Sequence, residues 1–227
     1  MVRGSSPASR EAAVPRGMKL RVIVADDHPV VCSGLKQILE RDGTIEIVAE
    51  ARDGRTLLRQ VEALQPDLVV ADVTMPDLNG IDATRIIRQR HRGTRVLLLS
   101  VHAQEAIVRE ALAAGASGYV LKEAAGDELQ RAVDAVARDQ SYFSPAVARL
   151  LATRLLEPRK DRPLLSARER EVLQLICEGR RPAEIAARLF VSVTTVKSHR
   201  ANAMRKLGAR STAELIRYAI RGGLASL

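Results

Sequence analysis

Residues 68–80 read LVVADVTMPDLNG, and the opening of this stretch decides the fold. Residues 68–71 are wholly apolar and run straight into Asp72. A short strand without polar alternation is buried on both faces, which is the mark of a parallel sheet covered by helices. Residues 80–90 follow with helical spacing. Working outward, the same unit recurs. Residues 19–25 (KLRVIVA), 45–50 (IEIVAE), 95–100 (RVLLLS) and 118–121 are further strands. Helical patterns cover 30–41, 55–64, 104–114 and 127–138, with Val31, Leu35, Ile38 and Leu39 sharing one face of the first. Five strand–helix units in about 120 residues predict an α/β fold, a flavodoxin-like, doubly wound, five-stranded parallel sheet with helices on both sides.

Beyond residue 140 the pattern changes. Residues 144–156 read as one more helix, and EPRKDRP (157–163) as an exposed linker. From Leu164 only helices are predicted, over 167–178, 182–189, 193–207 and 212–221. Ser166 and Glu169 form a capping box at the first. Pro182 suits a first helical turn, and Ser192 the N-cap of the third helix. Val196, Met204 and Leu207 turn that helix inward. Thr194, Lys197, Ser198, Arg200, Ala201, Arg205 and Lys206 are left outward. The expected second domain is therefore a small all-α helix-turn-helix unit. The boundaries are 1–17 for a disordered polar extension, 18–140 for the α/β domain, 141–163 for a linker helix and linker, and 164–227 for the helical domain.

Charge separates the two halves. The net charge is +9, yet residues 18–157 carry 18 basic and 20 acidic side chains, whereas residues 158–227 carry 15 and 6. A short basic helical domain beside a near-neutral one points to nucleic acid. Apolar residues make up 46% of the chain and aromatic ones 2%, so the core is aliphatic. No apolar run reaches the ~18 residues of a membrane span, and residues 1–17 lack the apolar core of a signal peptide. The expected location is cytoplasmic, without membrane contact, and Cys32 and Cys177 are expected as reduced core residues.

Three strand ends carry carboxylates. Asp26 and Asp27 follow the first strand and Asp72 ends the third, and these strands are neighbours in a doubly wound sheet. A hard divalent cation relieves the repulsion among crowded carboxylates, and magnesium (Mg2+) suits an all-oxygen set. Ser100 adds a hydroxyl and Lys122 a cation from the ends of the fourth and fifth strands. Such a set fits phosphoryl transfer onto Asp72 as nucleophile. Asp27 would hold the metal directly, Asp26 through water, and the backbone carbonyl of Thr74 would complete the shell. Any one of these residues alone would read as loop punctuation; five at the ends of four parallel strands do not.

VIVADDHP (22–29), LVVADVTMPDLNG (68–80), LLLSVH (97–102) and GASGYVLKE (115–123) resemble the receiver domain of two-component response regulators. That resemblance implies Asp72 as phosphoacceptor, Asp26 and Asp27 as the metal-binding pair, Ser100 as the switch hydroxyl and Lys122 as the conserved-type lysine. Tyr119 falls where such domains place a switch aromatic; an ordinary half-buried strand tyrosine is the equal alternative. The L-S-x-R-E-x-E-V-L opening, E-I-A-x-x-L centre and S-x-x-T-V-K-x-H end are similar to the LuxR-type output domain of the NarL/FixJ subfamily. By that likeness Lys197, Ser198 and Ala201 face base edges. Thr195, His199 and Arg205 touch phosphates or cap the helix, and His199 could equally be a packing residue. Glu123 and Val101 depart from the usual receiver pattern. His102 sits where such proteins tune the lifetime of the phosphoryl group, though it reads better as a surface residue.

The resemblance implies a phosphorylation-controlled transcriptional regulator, not an enzyme, with double-stranded DNA and a sensor histidine kinase as partners and a homodimer as the phosphorylated form. A phosphorylation-independent transcription factor with a vestigial pocket is the competing reading. A haloacid-dehalogenase-like phosphatase is a third, opposed by the missing D-x-D motif and by the helix-turn-helix.

Overall fold

The computed structural model describes residues 19–101, 103–155 and 165–221. The expected extension over 1–17, the linker over 157–163 and His102 lie outside the described residues.

Strands β1 (Leu20–Ala25), β2 (Ile45–Ala51), β3 (Leu68–Asp72), β4 (Arg95–Ser100) and β5 (Gly118–Leu121) alternate with α1 (Pro29–Glu40), α2 (Gly54–Leu64), α3 (Gly80–Arg90), α4 (Glu105–Ala114) and α5 (Ala125–Ala137). All strand pairings are parallel, and the order is β2-β1-β3-β4-β5-β6. The sheet thus has six strands, not the expected five. The sixth, β6 (Tyr142–Phe143), is only two residues long and carries no periodicity by which a sequence reading could find it. It lies in the segment assigned to the linker, and Tyr119 is in register with Phe143.

Two aliphatic layers sandwich the sheet. One face packs α2, α3 and α4 over Ile23, Val69, Ala71 and Leu98; the other packs α1 and α5 over Val22, Val24, Val70 and Leu97. Burial of Leu57 and Val61 fixes α2, each contributing about 1.5–3 kcal/mol. Asp53 caps that helix by accepting the Thr56 N–H at 2.7 Å. Helix α6 (Pro145–Leu155) follows β6 and packs Val147 into the first layer. Its start is bolted to the α/β domain by Ser144, which is 1% exposed. The Ser144 hydroxyl accepts the Leu121 N–H at 3.1 Å and donates to Glu128.

The helical domain comprises α7 (Ala167–Cys177), α8 (Pro182–Leu189), α9 (Val193–Leu207) and α10 (Thr212–Arg221). Ser166 closes the predicted capping box with Glu169, and Ser192 caps α9 by accepting the Thr195 N–H at 3.0 Å. Helices α8 and α9 pack through Ile185, Ala186, Leu189 and Val196. Both cysteines are free. Among the described residues no helix is long and apolar enough to cross a membrane.

Candidate functional site

The carboxyl ends of β1, β3, β4 and β5 gather the predicted pocket. Parallel pairing sets Ala25 beside Ala71, Asp72 beside Leu99 and Ser100 beside Leu121, so the residues that follow share one edge. Asp26 is fully buried, Asp72 is 5% exposed and Ser100 1%. Lys122 joins the two aspartates, its Nζ lying 2.6 Å from Asp26 Oδ2 and 2.8 Å from Asp72 Oδ2. A single ammonium therefore spans two carboxylates that would otherwise face each other in a low-dielectric pocket.

Electrostatics follow from this arrangement. Burial pushes the Asp72 carboxyl above its ordinary value, partly offset by the Lys122 charge and by the Thr74 backbone N–H, which hydrogen-bonds it. Burial pulls Lys122 down, but the Asp72 and Asp26 carboxylates outweigh it and hold the ammonium above its ordinary value.

Asp27 is half-buried beside them. Its Oδ1 is 2.8 Å from His28 Nδ1, an ionic contact when the ring is protonated, and beyond that contact this buried oxygen has no hydrogen-bond partner among the described residues. Ligand atoms of Asp26, Asp27 and His28 all lie within 4.8 Å of one another. An orphaned carboxylate oxygen among further carboxylates is a donor set that fits a hard divalent cation.

Tyr119 is not half-exposed: it is 1% exposed, and its hydroxyl is hydrogen-bonded with the Ser100 side chain. Burial pushes the phenol up to about 12. Phe143 of β6 and Val147, Leu150 and Leu151 of α6 belong to the layer that encloses the ring. Val101 is 67% exposed at the rim.

In the helical domain α9 turns one face to solvent. Thr194, Lys197, Ser198, Ala201 and Arg205 are exposed, whereas Thr195 and His199 are half-buried. Thr195 shares a 2.8 Å hydroxyl contact with Ser192, and Arg205 donates to Asn202 at 3.1 Å. Lys206 corrects the sequence reading. It does not point outward but folds back onto Glu169 of α7 at 2.7 Å, because Glu169, the partner in the capping box, offers a nearly buried carboxylate there.

Residues 22–134 match the family model of the response regulator receiver domain, and residues 163–219 that of bacterial regulatory proteins of the luxR family. The chain belongs to the two-component response regulators. Its relatives include the transcriptional regulatory protein MctR of Rhizobium johnstonii, 38% identical over 92% of this chain and 96% of that one. The probable transcriptional regulatory protein NarL of Mycobacterium tuberculosis is 37% identical over 91% and 96%. Among solved structures, the RcsB response regulator of Salmonella typhimurium aligns over 88% of this chain and 96% of its own, at 30% identity and a TM-score of 0.68. Another, described as two RcsB dimers bound to two parallel DNAs, aligns over 88% and 97% at 30% identity, with a TM-score of 0.57. This response regulator is a NarL-type, two-component transcriptional regulator with a receiver and a LuxR-type DNA-binding domain, and these matches do not favour a vestigial receiver.

Sequence reasoning missed one set of residues, those that join the two domains. Asp77, Asn79 and Asp82 of the receiver meet Arg170, Gln174, Glu178 and Arg188 of the helical domain. A signal was available: Arg170, Gln174 and Glu178 recur every four residues, a polar stripe beside the apolar Val172, Leu173, Leu175 and Ile176.

Proposed function

We propose that Asp72 accepts a phosphoryl group from a sensor histidine kinase or a small acyl phosphate, and that this modification controls DNA binding by α9. The observation that carries the reading is the Lys122 bridge between Asp26 and Asp72. It sets a second carboxylate and a cation beside the aspartate that ends the buried strand β3.

In the step itself an Asp72 carboxylate oxygen forms a bond to phosphorus as the phosphorus–nitrogen bond of the donor phosphohistidine breaks. The leaving imidazole keeps the electron pair and takes up a proton. Asp27 would hold Mg2+ directly and Asp26 through water, with Asp72 and the Thr74 carbonyl completing the shell, and the ion would supply charge neutralisation for the incoming group. Lys122 exchanges its contact with Asp72 for one with a phosphoryl oxygen while keeping Asp26. Ser100 donates its hydroxyl to another phosphoryl oxygen, and Tyr119 stays with it, tying the pocket to β6 and α6. The added group carries roughly two negative charges, enough to bias two receiver states.

On the DNA side, α9 would lie in the major groove. Lys197, Ser198 and Ala201 would face base edges, Thr195, His199 and Arg205 would touch phosphates or cap the helix, and Thr194 would lie exposed beside them. The modified protein acts as a homodimer on paired half-sites in the cytoplasm; the dimers described for RcsB on DNA support that reading. The functional units are 18–140 and 164–227, with β6 and α6 of the 141–163 segment packed onto the first of them and 1–17 as an extension outside them.

Titrating duplex DNA against the wild type and Asp72→Asn, each with and without acyl phosphate and Mg2+, tests this. The donor is expected to tighten wild-type binding and leave Asp72→Asn unchanged. An equal response of the two proteins would contradict the proposal.

A further inference from the structure

Helices α7, α8 and α9 end in the same way. The residue after the last turn donates its N–H three residues back, and the residue after that donates five back. In α7 the two bonds run from Gly179 to Ile176 O and from Arg180 to Leu175 O, both at 3.0 Å. In α9 they run from Gly208 to Arg205 O at 3.4 Å and from Ala209 to Met204 O at 2.9 Å. In α8 they run from Phe190 to Ala187 O at 3.4 Å and from Val191 to Ala186 O at 3.0 Å. The first of these positions is left-handed, and glycine fills it after α7 and α9, with φ of 75° and 68°. Phe190 takes it after α8, with φ 55° and ψ 44°, against the steric cost that a Cβ brings there.

Packing within the helical domain does not offset that cost. The apolar contact that completes such a helix end comes from Val191, which packs against the cluster of Ile185, Leu189 and Val196. Phe190 itself is 94% exposed. Glycine would close α8 as well and without strain. A strained residue whose side chain touches solvent points to a contact made outside the chain.

The surroundings of Phe190 say what that contact is. It stands two residues before Ser192, the N-cap of α9, and Val193, 39% exposed, follows the cap. These two apolar side chains mark the end of the helix that enters a groove in helix-turn-helix proteins. Thr194, Lys197, Ser198 and Ala201 continue the exposed surface along α9. From Ile185 to Ala213 the chain holds six basic residues and no acidic one, which suits a polyanion. An aromatic ring hydrogen-bonds neither a phosphate nor a base edge. The apolar feature that the major groove offers it is the 5-methyl group of thymine. Wedging between base steps belongs to the minor groove, where a helix in the major groove does not reach.

We propose that Phe190, with Val193 beside it, takes the 5-methyl group of a thymine in the DNA site, so that the α8–α9 turn adds a preference for thymine next to the bases that α9 reads. The inference rests on α9 as the DNA-reading helix and is independent of any modification of Asp72.

The test uses the full chain. Wild type selects its preferred duplex from a pool of random sequences, and that duplex is titrated by anisotropy. Phe190→Ala and Phe190→Gly are each expected to bind it about tenfold more weakly. Repeating the selection with either variant should lose the preference for thymine at one position. Phe190→Gly should nevertheless unfold at a higher temperature than wild type, because it relieves the left-handed strain, and a folding defect cannot produce that combination. Deoxyuridine in place of the selected thymine removes the methyl group alone. It should weaken wild type about fourfold and leave Phe190→Ala unchanged. Phe190 variants that bind and select as wild type does, while Lys197→Ala loses affinity, would overturn this inference and leave α9 as the reading helix. Wild-type binding by all three variants would overturn both. Wild type that holds the deoxyuridine duplex as tightly as the thymine duplex would also overturn the proposal. So would a change in sedimentation of Phe190→Ala without DNA, which would assign the ring to a second copy of the chain.

Discussion

Lys122 Nζ lies 2.8 Å from Asp72 Oδ2 and closer still to Asp26, so one ammonium from the end of β5 neutralises carboxylates from β1 and β3. Lys122→Met would leave two buried carboxylates without a cation. The expected loss is about 3 kcal/mol of stability. Urea denaturation measures it, and millimolar Mg2+ should recover part of the loss, since a cation binding only the folded pocket stabilises by mass action. A variant as stable as wild type in EDTA would show that the bridge carries no energy.

Gly80 is required by close approach, not by an unusual φ. Its Cα sits on the Asp72 carbonyl, where a Cβ would find backbone oxygen at 2.1 Å and Asp72 C at 3.0 Å. Backbone cannot swing aside as a side chain would. Gly80→Ala is therefore expected to cost about 1–3 kcal/mol in thermal or chemical unfolding, despite the better helix propensity of alanine.

Glu110 on α4 is 8% exposed, and its Oε2 has no hydrogen-bond partner. Burial pushes its carboxyl above the ordinary value near 4.5, opposed by Arg170, reinforced by Asp82 and opposed again by Arg85 and Arg109. A carboxyl whose folded pKa is raised contributes stability that is fully present below the unfolded pKa and lost as pH rises through the folded one. Glu110→Gln cannot ionise and escapes that loss. It should be more stable than wild type at pH 7, with the gap closing as pH falls towards 4. A gap that widens on acidification would mean that the Arg170 contact outweighs burial.

Lys197 is exposed on the open face of α9. Lys197→Ala should reduce the salt dependence of DNA binding by about one unit of slope if it touches phosphate. If it reads a base edge, the variant should lose about 1–3 kcal/mol on the preferred site and relax its sequence preference there. Anisotropy titrations at several salt concentrations, on matched and mismatched duplexes, separate the two. A variant indistinguishable from wild type would remove α9 from the interface.

Much of this was legible from residue pattern. The uninterrupted apolar runs of β3 and β4 gave strand, burial and direction together, and direction placed Asp72 and Ser100 at one edge. The caps at Ser166 and Ser192 fixed the starts of α7 and α9 because a side-chain oxygen three residues before a free N–H is a local property. Three features were not read that way. β6 is held by pairing with β5 and by the Ser144 bolt, both long-range. Lys206 is drawn inward by a carboxylate on another helix. The α7 stripe shows a period but not a partner, and its partner is a loop about a hundred residues earlier in the chain whose shape the stripe itself helps to set.

The most direct measurement is the mass of the intact protein after incubation with acyl phosphate and Mg2+, followed by mapping of the modified residue. The account predicts the gain of one phosphoryl group, carried on Asp72, absent in EDTA and absent from Asp72→Asn. An unmodified protein, or a phosphoryl group carried anywhere else, would contradict it.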